Sequence, residues 1–247
     1  MEDKLKTIFD FLVLNRKYNY ELQKKFYSSI IKPYDNIQDK IISVFYNIAN
    51  TQSQPNIDKL SIFYKEIFQN IDCLNSFESF IVQNRPVENI SITYDGMFKT
   101  MTKKSGWGDK TSALFTKTIF HLHNNQYSDE FKIWNDAPTT IADKDTFYLP
   151  VDSVIIAIFN RISPDGKWNF HKINKVLREI YKPSEIEIWD DLWFWGFITQ
   201  KGSGDNRNFE WNENKYWNLK ESDKIPNNIN KIHEKSNDFL GLLSCLR

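Results

Sequence analysis

The chain has 247 residues, 40% hydrophobic and 15% aromatic, which is enough for one sizeable core or two small ones and too apolar for a disordered segment. Glycine and proline number 8 each, below the usual share of roughly 7% and 5%, which argues against a turn-rich sandwich or barrel and for an all-α fold. The 32 basic and 32 acidic side chains cancel, so whole-chain charge names no polyanionic partner, and two cysteines, Cys73 and Cys245, exclude a disulfide framework and a four-thiolate iron–sulfur site.

Glu2, Asp3, Lys4 and Lys6 precede any apolar stretch, unlike the basic-then-apolar layout of a secretory leader. The longest apolar runs are about six residues, as at 154–159, too short to span a bilayer. A cytoplasmic protein in a reducing compartment, without a membrane partner, is the expectation. Over residues 4–83 apolar positions recur every three or four residues, as in Ile8, Phe11 and Leu12 or Ile41, Val44, Phe45 and Ile48, which predicts amphipathic helices punctuated by Pro33, Pro55 and Pro86. Next come a helix over 97–104, the turn Ser105-Gly106-Trp107-Gly108-Asp109 and a second helix over 110–123. The polar stretch 124–148 reads as a long loop or insertion carrying a short helix at most. Beyond it, 154–159 predicts a helix buried all round, 169–181 a further helix, 189–197 an aromatic block, 202–208 a flexible loop, and the tail from Pro226 a last helix.

A turn of glycine, any residue, glycine between two helices lets a phosphate approach the backbone, with the amides and positive dipole end of the second helix pointing at it. Around it Lys99, Lys103, Lys104, Lys110 and Lys117 stand against Asp109 alone, five minus one, or plus four. Lys110 opens the second helix, where the macrodipole disfavours an ammonium and favours the free amine that a nucleophile needs; otherwise it is a solvated surface lysine. Asp152, before the apolar helix, reads as an N-cap, and the same placement would hold a carboxylate rigidly against a cationic transition state.

The segment Gly106-Trp107-Gly108-Asp109-Lys110-Thr111-Ser112-Ala113 followed by Pro150-Val151-Asp152 resembles the helix-hairpin-helix base-excision DNA glycosylases, over roughly residues 97–160. The resemblance implies two helical subdomains around a cleft and a hairpin, Gly106, Trp107 and Gly108 with Lys104 and Thr111, that grips DNA phosphates. It implies that Lys110 attacks the deoxyribose C1′, that Asp152 helps activate it and stabilises the oxocarbenium-like sugar, and that a Schiff base then cleaves the strand by β-elimination. Lys110 and Asp152 stand 42 residues apart (152 minus 110), more than the family's usual spacing, with 124–148 as the insertion between them. The missing cysteine quartet leaves out an iron–sulfur cofactor. The regions implied are 1–95, an N-terminal helical region; 96–200, the hairpin and catalytic region; and 201–247, a helical tail packed on the same fold.

The tract Ile188-Trp189-Asp190-Asp191-Leu192-Trp193-Phe194-Trp195-Gly196 is similar to the helix lining the base pocket of archaeal-type 8-oxoguanine glycosylases. Asp191 and Trp195, four apart on one helix face, would accept from a purine edge and stack on its ring, with Trp193 beside them, unless these aromatics are core. His121, His123, His171 and His233 show no metal-ligand spacing, and Gly202-Ser203-Gly204 lacks the lysine and helix of a nucleotide phosphate loop. No cofactor is expected. The partner implied is duplex DNA carrying a damaged base, 8-oxoguanine as the best guess, bound by a monomer. Two alternatives stay open: a non-catalytic helix-hairpin-helix DNA-binding protein, and a one-step glycosylase using Asp152 with water.

Overall fold

A computed structural model describes residues 1–87, 89–202, 207–219 and 225–246. The described residues are dominantly helical, and no helix among them is long and apolar enough to cross a membrane. They fall into two compact units, one of Met1–Phe26 with Val151–Arg247, the other Tyr27–Pro150. These boundaries differ from the expected ones at 95 and 200. Sequence marks polar breaks, whereas a unit is set by which apolar faces pack together. The first helix, α1 (Glu2–Ile31), has its N-terminal part in one unit and its last turn in the other.

In the unit Tyr27–Pro150, α2 (Ile37–Ala49), α3 (Ile57–Gln69), a 3-10 turn (Ile71–Asn75), α4 (Phe77–Asn84), α5 (Tyr94–Met101) and α6 (Asp109–His123) follow in order. Prolines 33, 55 and 86 lie in the connections, but side chains set the starts: Asn36, Asn56, Ser76 and Thr93 each accept the amide three residues on. The core gathers on Phe45, stacked on Phe115 at 4.9 Å and edge-on to Phe63 at 5.0 Å.

Residues 124–148 form the expected long loop with a short helix at most, but one with a buried apolar side. They hold one 3-10 turn, Asp129–Phe131, yet Phe131, Ile133, Trp134, Ile141 and Phe147 are buried. The segment is a strap pinned by polar groups. Trp134 Nε1 donates to the Leu74 carbonyl at 2.7 Å, and the Asp136 carboxylate accepts the Phe77 and Glu78 amides that begin α4. His123 Nε2 accepts the amides of Ile133 and Trp134, while Nδ1 sits 2.7 Å from the Ile119 carbonyl. That pattern fixes the neutral ring with its proton on Nδ1.

The other unit continues with α7 (Ser153–Ile162), α8 (Phe170–Ile180), α9 (Pro183–Ile188), α10 (Asp191–Ile198), the strands β1 (Gln200–Lys201) and β2 (Asn208–Phe209), α11 (Glu213–Trp217) and α12 (Pro226–Cys245). The two strands pair antiparallel, a small departure from an all-helical chain. Of the expected loop at 202–208, residues 203–206 lie outside the described residues. Nor is α7 buried all round: Val154, Ile155, Ile158, Phe159 and Ile162 face inward, Ile156 and Ala157 are half-buried and Asn160 is exposed. At Gly196 on α10, an added Cβ would lie 2.7 Å from Val154 Cγ1 and 2.6 Å from Ile158 Cδ1. Glycine there lets α10 press onto α7, and this contact fixes where α7 begins.

Candidate functional site

The glycine turn between α5 and α6 is built by two glycines with different tasks. Gly106 adopts φ +81° and a Cβ there would sit 3.0 Å from the Leu60 amide nitrogen, so both backbone and space demand glycine. Gln52 Nε2 donates to its carbonyl at 3.3 Å. Gly108 has an ordinary φ of −108°, and a Cβ there would meet nothing within 4 Å. The fold does not require glycine at 108. As N-cap it offers no side chain to the first amides of α6. Thr111 supports the turn, its hydroxyl accepting from Gly108 N–H and donating to the Gly108 carbonyl, each at 3.0 Å. Lys110, the second residue of α6, is half-buried.

Two members of the expected phosphate grip serve the turn from inside. The Trp107 indole is buried edge-on to Phe45, Phe63 and Phe115, and its amide donates to the Lys104 carbonyl at 3.1 Å. Its side chain anchors the turn and does not reach outward. Lys104 lies 3.5 Å from the Glu66 carboxylate. The local charge count also shrinks: Lys99 pairs with Asp95 on α5 and Lys117 is buried, which leaves Lys103 and Lys110 without a carboxylate partner among the described residues. A window along the sequence missed Glu66, which comes from α3, and Asp95, which lies just upstream.

Asp152 is the N-cap of α7, as its sequence position foretold. One carboxylate oxygen accepts the Val154 and Ile155 amides at 2.9 and 3.1 Å; the other accepts Trp193 Nε1–H at 3.0 Å. Three N–H donors thus hold a carboxylate that remains half-exposed. Trp193 is itself half-exposed and stacks on Phe197 with ring centroids 4.9 Å apart and planes 13° from parallel.

No family model, curated protein or solved structure matches the chain.

The expected base pocket is corrected at two of its three residues, Trp195 and Asp191. Trp195 is fully enclosed, with Phe11 and Tyr18 edge-on and Phe239 tilted against it, so it offers no open face for stacking. Asp191 is also buried and accepts from Asn19 Nδ2, with Arg16 Nε 4.0 Å away. Burial pushes its carboxyl up to about 8 against the opposing pull of Arg16 and Asn19. Asp191 Oδ2 and Trp195 Nε1 have no hydrogen-bond partner among the described residues. The i, i+4 spacing put both on one face correctly, but that face is the one α1 and α12 residues cover. Of the three aromatic-tract candidates, Trp193 alone is presented at the surface.

Sequence reasoning missed Phe197, Arg207 and Lys215. Lys215 Nζ sits 4.9 Å above the Phe197 ring, and Arg207 donates to Gln200 Oε1 and Ser153 Oγ, each at 2.7 Å. Ser153 directly follows Asp152. No short-range pattern links positions 153, 197, 207 and 215; folding alone joins them. Among the described residues no group of three or more His, Cys, Asp or Glu could hold a metal ion.

Proposed function

We propose that the protein is a bifunctional DNA N-glycosylase and abasic-site lyase of the helix-hairpin-helix type, with Lys110 in the role of nucleophile and Asp152 in that of the essential carboxylate. The observation that carries the reading is Gly108: a glycine that neither backbone nor packing requires, at the open start of α6, one residue before Asp109 and two before Lys110. A missing side chain there leaves helix amides available to a phosphate, and it keeps the approach to a half-buried amine clear. Asp152, fixed by three donors, supports the second role.

In this reading the Lys110 lone pair attacks C1′ while the bond from C1′ to the damaged base breaks and the base leaves with that bond's electrons. Asp152 stabilises the positive charge that develops on the sugar. The secondary ammonium then loses one proton, its lone pair forms the C1′=N bond as O4′ departs with the ring bond's electrons and takes up a proton, and from this protonated Schiff base removal of a C2′ proton expels the 3′ phosphate. An oxidised purine such as 8-oxoguanine is the proposed base, flipped out of the duplex, with Trp193 as the accessible stacking ring.

The test is a panel of single-lesion duplexes scored for base release, strand nicking and borohydride trapping. A trapped protein–DNA adduct that Lys110→Gln abolishes while retaining duplex affinity is the expected result. Duplex binding by the wild type without an adduct on any lesion, abasic sites included, overturns the lyase; base release without an adduct points to water as nucleophile.

A further inference from the structure

We infer that Arg207 and Lys215 form an anion-binding pair that takes a phosphate group, and that in the reaction proposed above this phosphate belongs to the DNA strand beside Asp152. The inference rests on that reading for the identity of the ligand, not for the existence of the pair. Both cations are half-buried and interact electrostatically with each other, yet neither lies within ion-pair distance of a carboxylate among the described residues. Two like charges held together away from full solvent repel, and the arrangement is relieved when an anion sits between them. The chain invests in holding them there. Arg207 is tied to Gln200, whose own amide donates to the Val154 carbonyl at 3.0 Å, and to Ser153 at the first position of α7. Lys215 begins the last turn of the short helix α11, with its ammonium 4.9 Å over the Phe197 ring.

Asp152 is an acid that Lys215 feels, but its oxygens are committed to Val154, Ile155 and Trp193. Burial, reinforced by Arg207 and opposed by Asp152, draws the Lys215 amine below the ordinary lysine range, the direction a bound phosphate would reverse. A guanidinium just before β2, on Gln200 and Ser153, and an ammonium on α11, over Phe197, would suit a phosphate's several oxygens, since Arg binds as a fork and Lys as a point charge. The stacked Trp193–Phe197 rings beside them give the attached nucleoside an apolar surface.

Two arms separate this pair from the glycosylase reading. In the first, inorganic phosphate is titrated into the full chain while the Arg207 Nε–H and Trp193 indole N–H signals are followed by NMR. Saturable shifts of both, lost in Lys215→Gln, are expected; no shift overturns the pair. In the second, affinity for a duplex carrying a tetrahydrofuran abasic-site analogue is measured across salt concentrations. Arg207→Gln with Lys215→Gln should weaken binding about tenfold or more and reduce the slope of log affinity against log salt by about 1 to 2, and Arg207→Lys with Lys215→Arg should recover most of it. Equal affinity and slope in all three proteins overturn the pair even if lyase activity is found. Phosphate shifts in a protein that neither releases a base nor nicks any lesion leave the pair standing and remove the glycosylase.

Discussion

The starts of α6 and α7 share nearly the same backbone and differ in what sits on it. Gly108 has φ −108° and ψ 179°, Asp152 φ −120° and ψ −174°, both extended N-cap conformations. At Asp152 a carboxylate consumes two helix amides and an indole N–H; at Gly108 the cap residue has no side chain to offer the amides, and nothing lies within 4 Å of where one would grow. The comparison teaches that a helix start is generic in shape, and that one side chain decides whether its positive end is neutralised internally or left for an outside anion.

The largest effects should come from the chemistry of each start. Lys110→Gln is expected to abolish the trapped adduct, a loss of at least about 10³-fold in base release. Asp152→Asn keeps an equivalent cap but removes the charge and the acceptor for Trp193 Nε1–H. Base release should fall about 10²- to 10⁴-fold, against a stability loss of only about 1 kcal/mol in denaturant titration. A stability loss matching the activity loss would make Asp152 a cap and nothing more. Next is Gly196→Ala, which drives a methyl into Val154 and Ile158 and should cost about 1–3 kcal/mol by shifting α7 off α10.

Acid and base should act on the two units with opposite signs. His123, buried and accepting two amides on Nε2, is held below its ordinary value of 6.5, so the unfolded chain binds its proton first. Protection of the Ile133 and Trp134 amides, with exchange corrected for the intrinsic rate, should therefore fall as pH drops below about 6.5. Asp191 is raised from 3.8 to about 8, so the folded chain holds that proton and stability around α10 is lost as pH rises across that window. Exchange in α10, after correction for the intrinsic rate, reports it. The smallest effect is Gly108→Ser: a few tenths of a kcal/mol more stable from the added cap, with weaker duplex affinity. Unchanged affinity there would sink the open-amide interpretation.

Periodicity revealed the helices because one apolar stripe per helix suffices to bury a core, and Asn36, Asn56, Ser76, Thr93 and Asp152 are local signals that cap where they stand. The glycine turn was legible for the same reason: Gly106 and Gly108 act through their own backbone. What lay hidden is non-local. The strap at 124–148 looks polar because Asp136 and neighbouring residues spend their polarity on α4 and His123, which no window reveals. Trp195 and Trp193 are chemically alike in sequence, and only packing shows that one is core and the other surface. Lys104 and Lys117 counted as free charge until α3 supplied Glu66 and the core enclosed Lys117.

The division of α1 between units has a consequence for synthesis. Residues 27–150 are contiguous and complete while 151–247 are still to be made, whereas the unit holding Asp152 needs both residues 1–26 and that later stretch. On the ribosome the Lys110 unit is therefore complete first, and Leu5, Ile8 and Leu12, buried in the finished fold, wait for the later part of their own unit. A chaperone that shields an amphipathic nascent helix has its natural client in those opening residues.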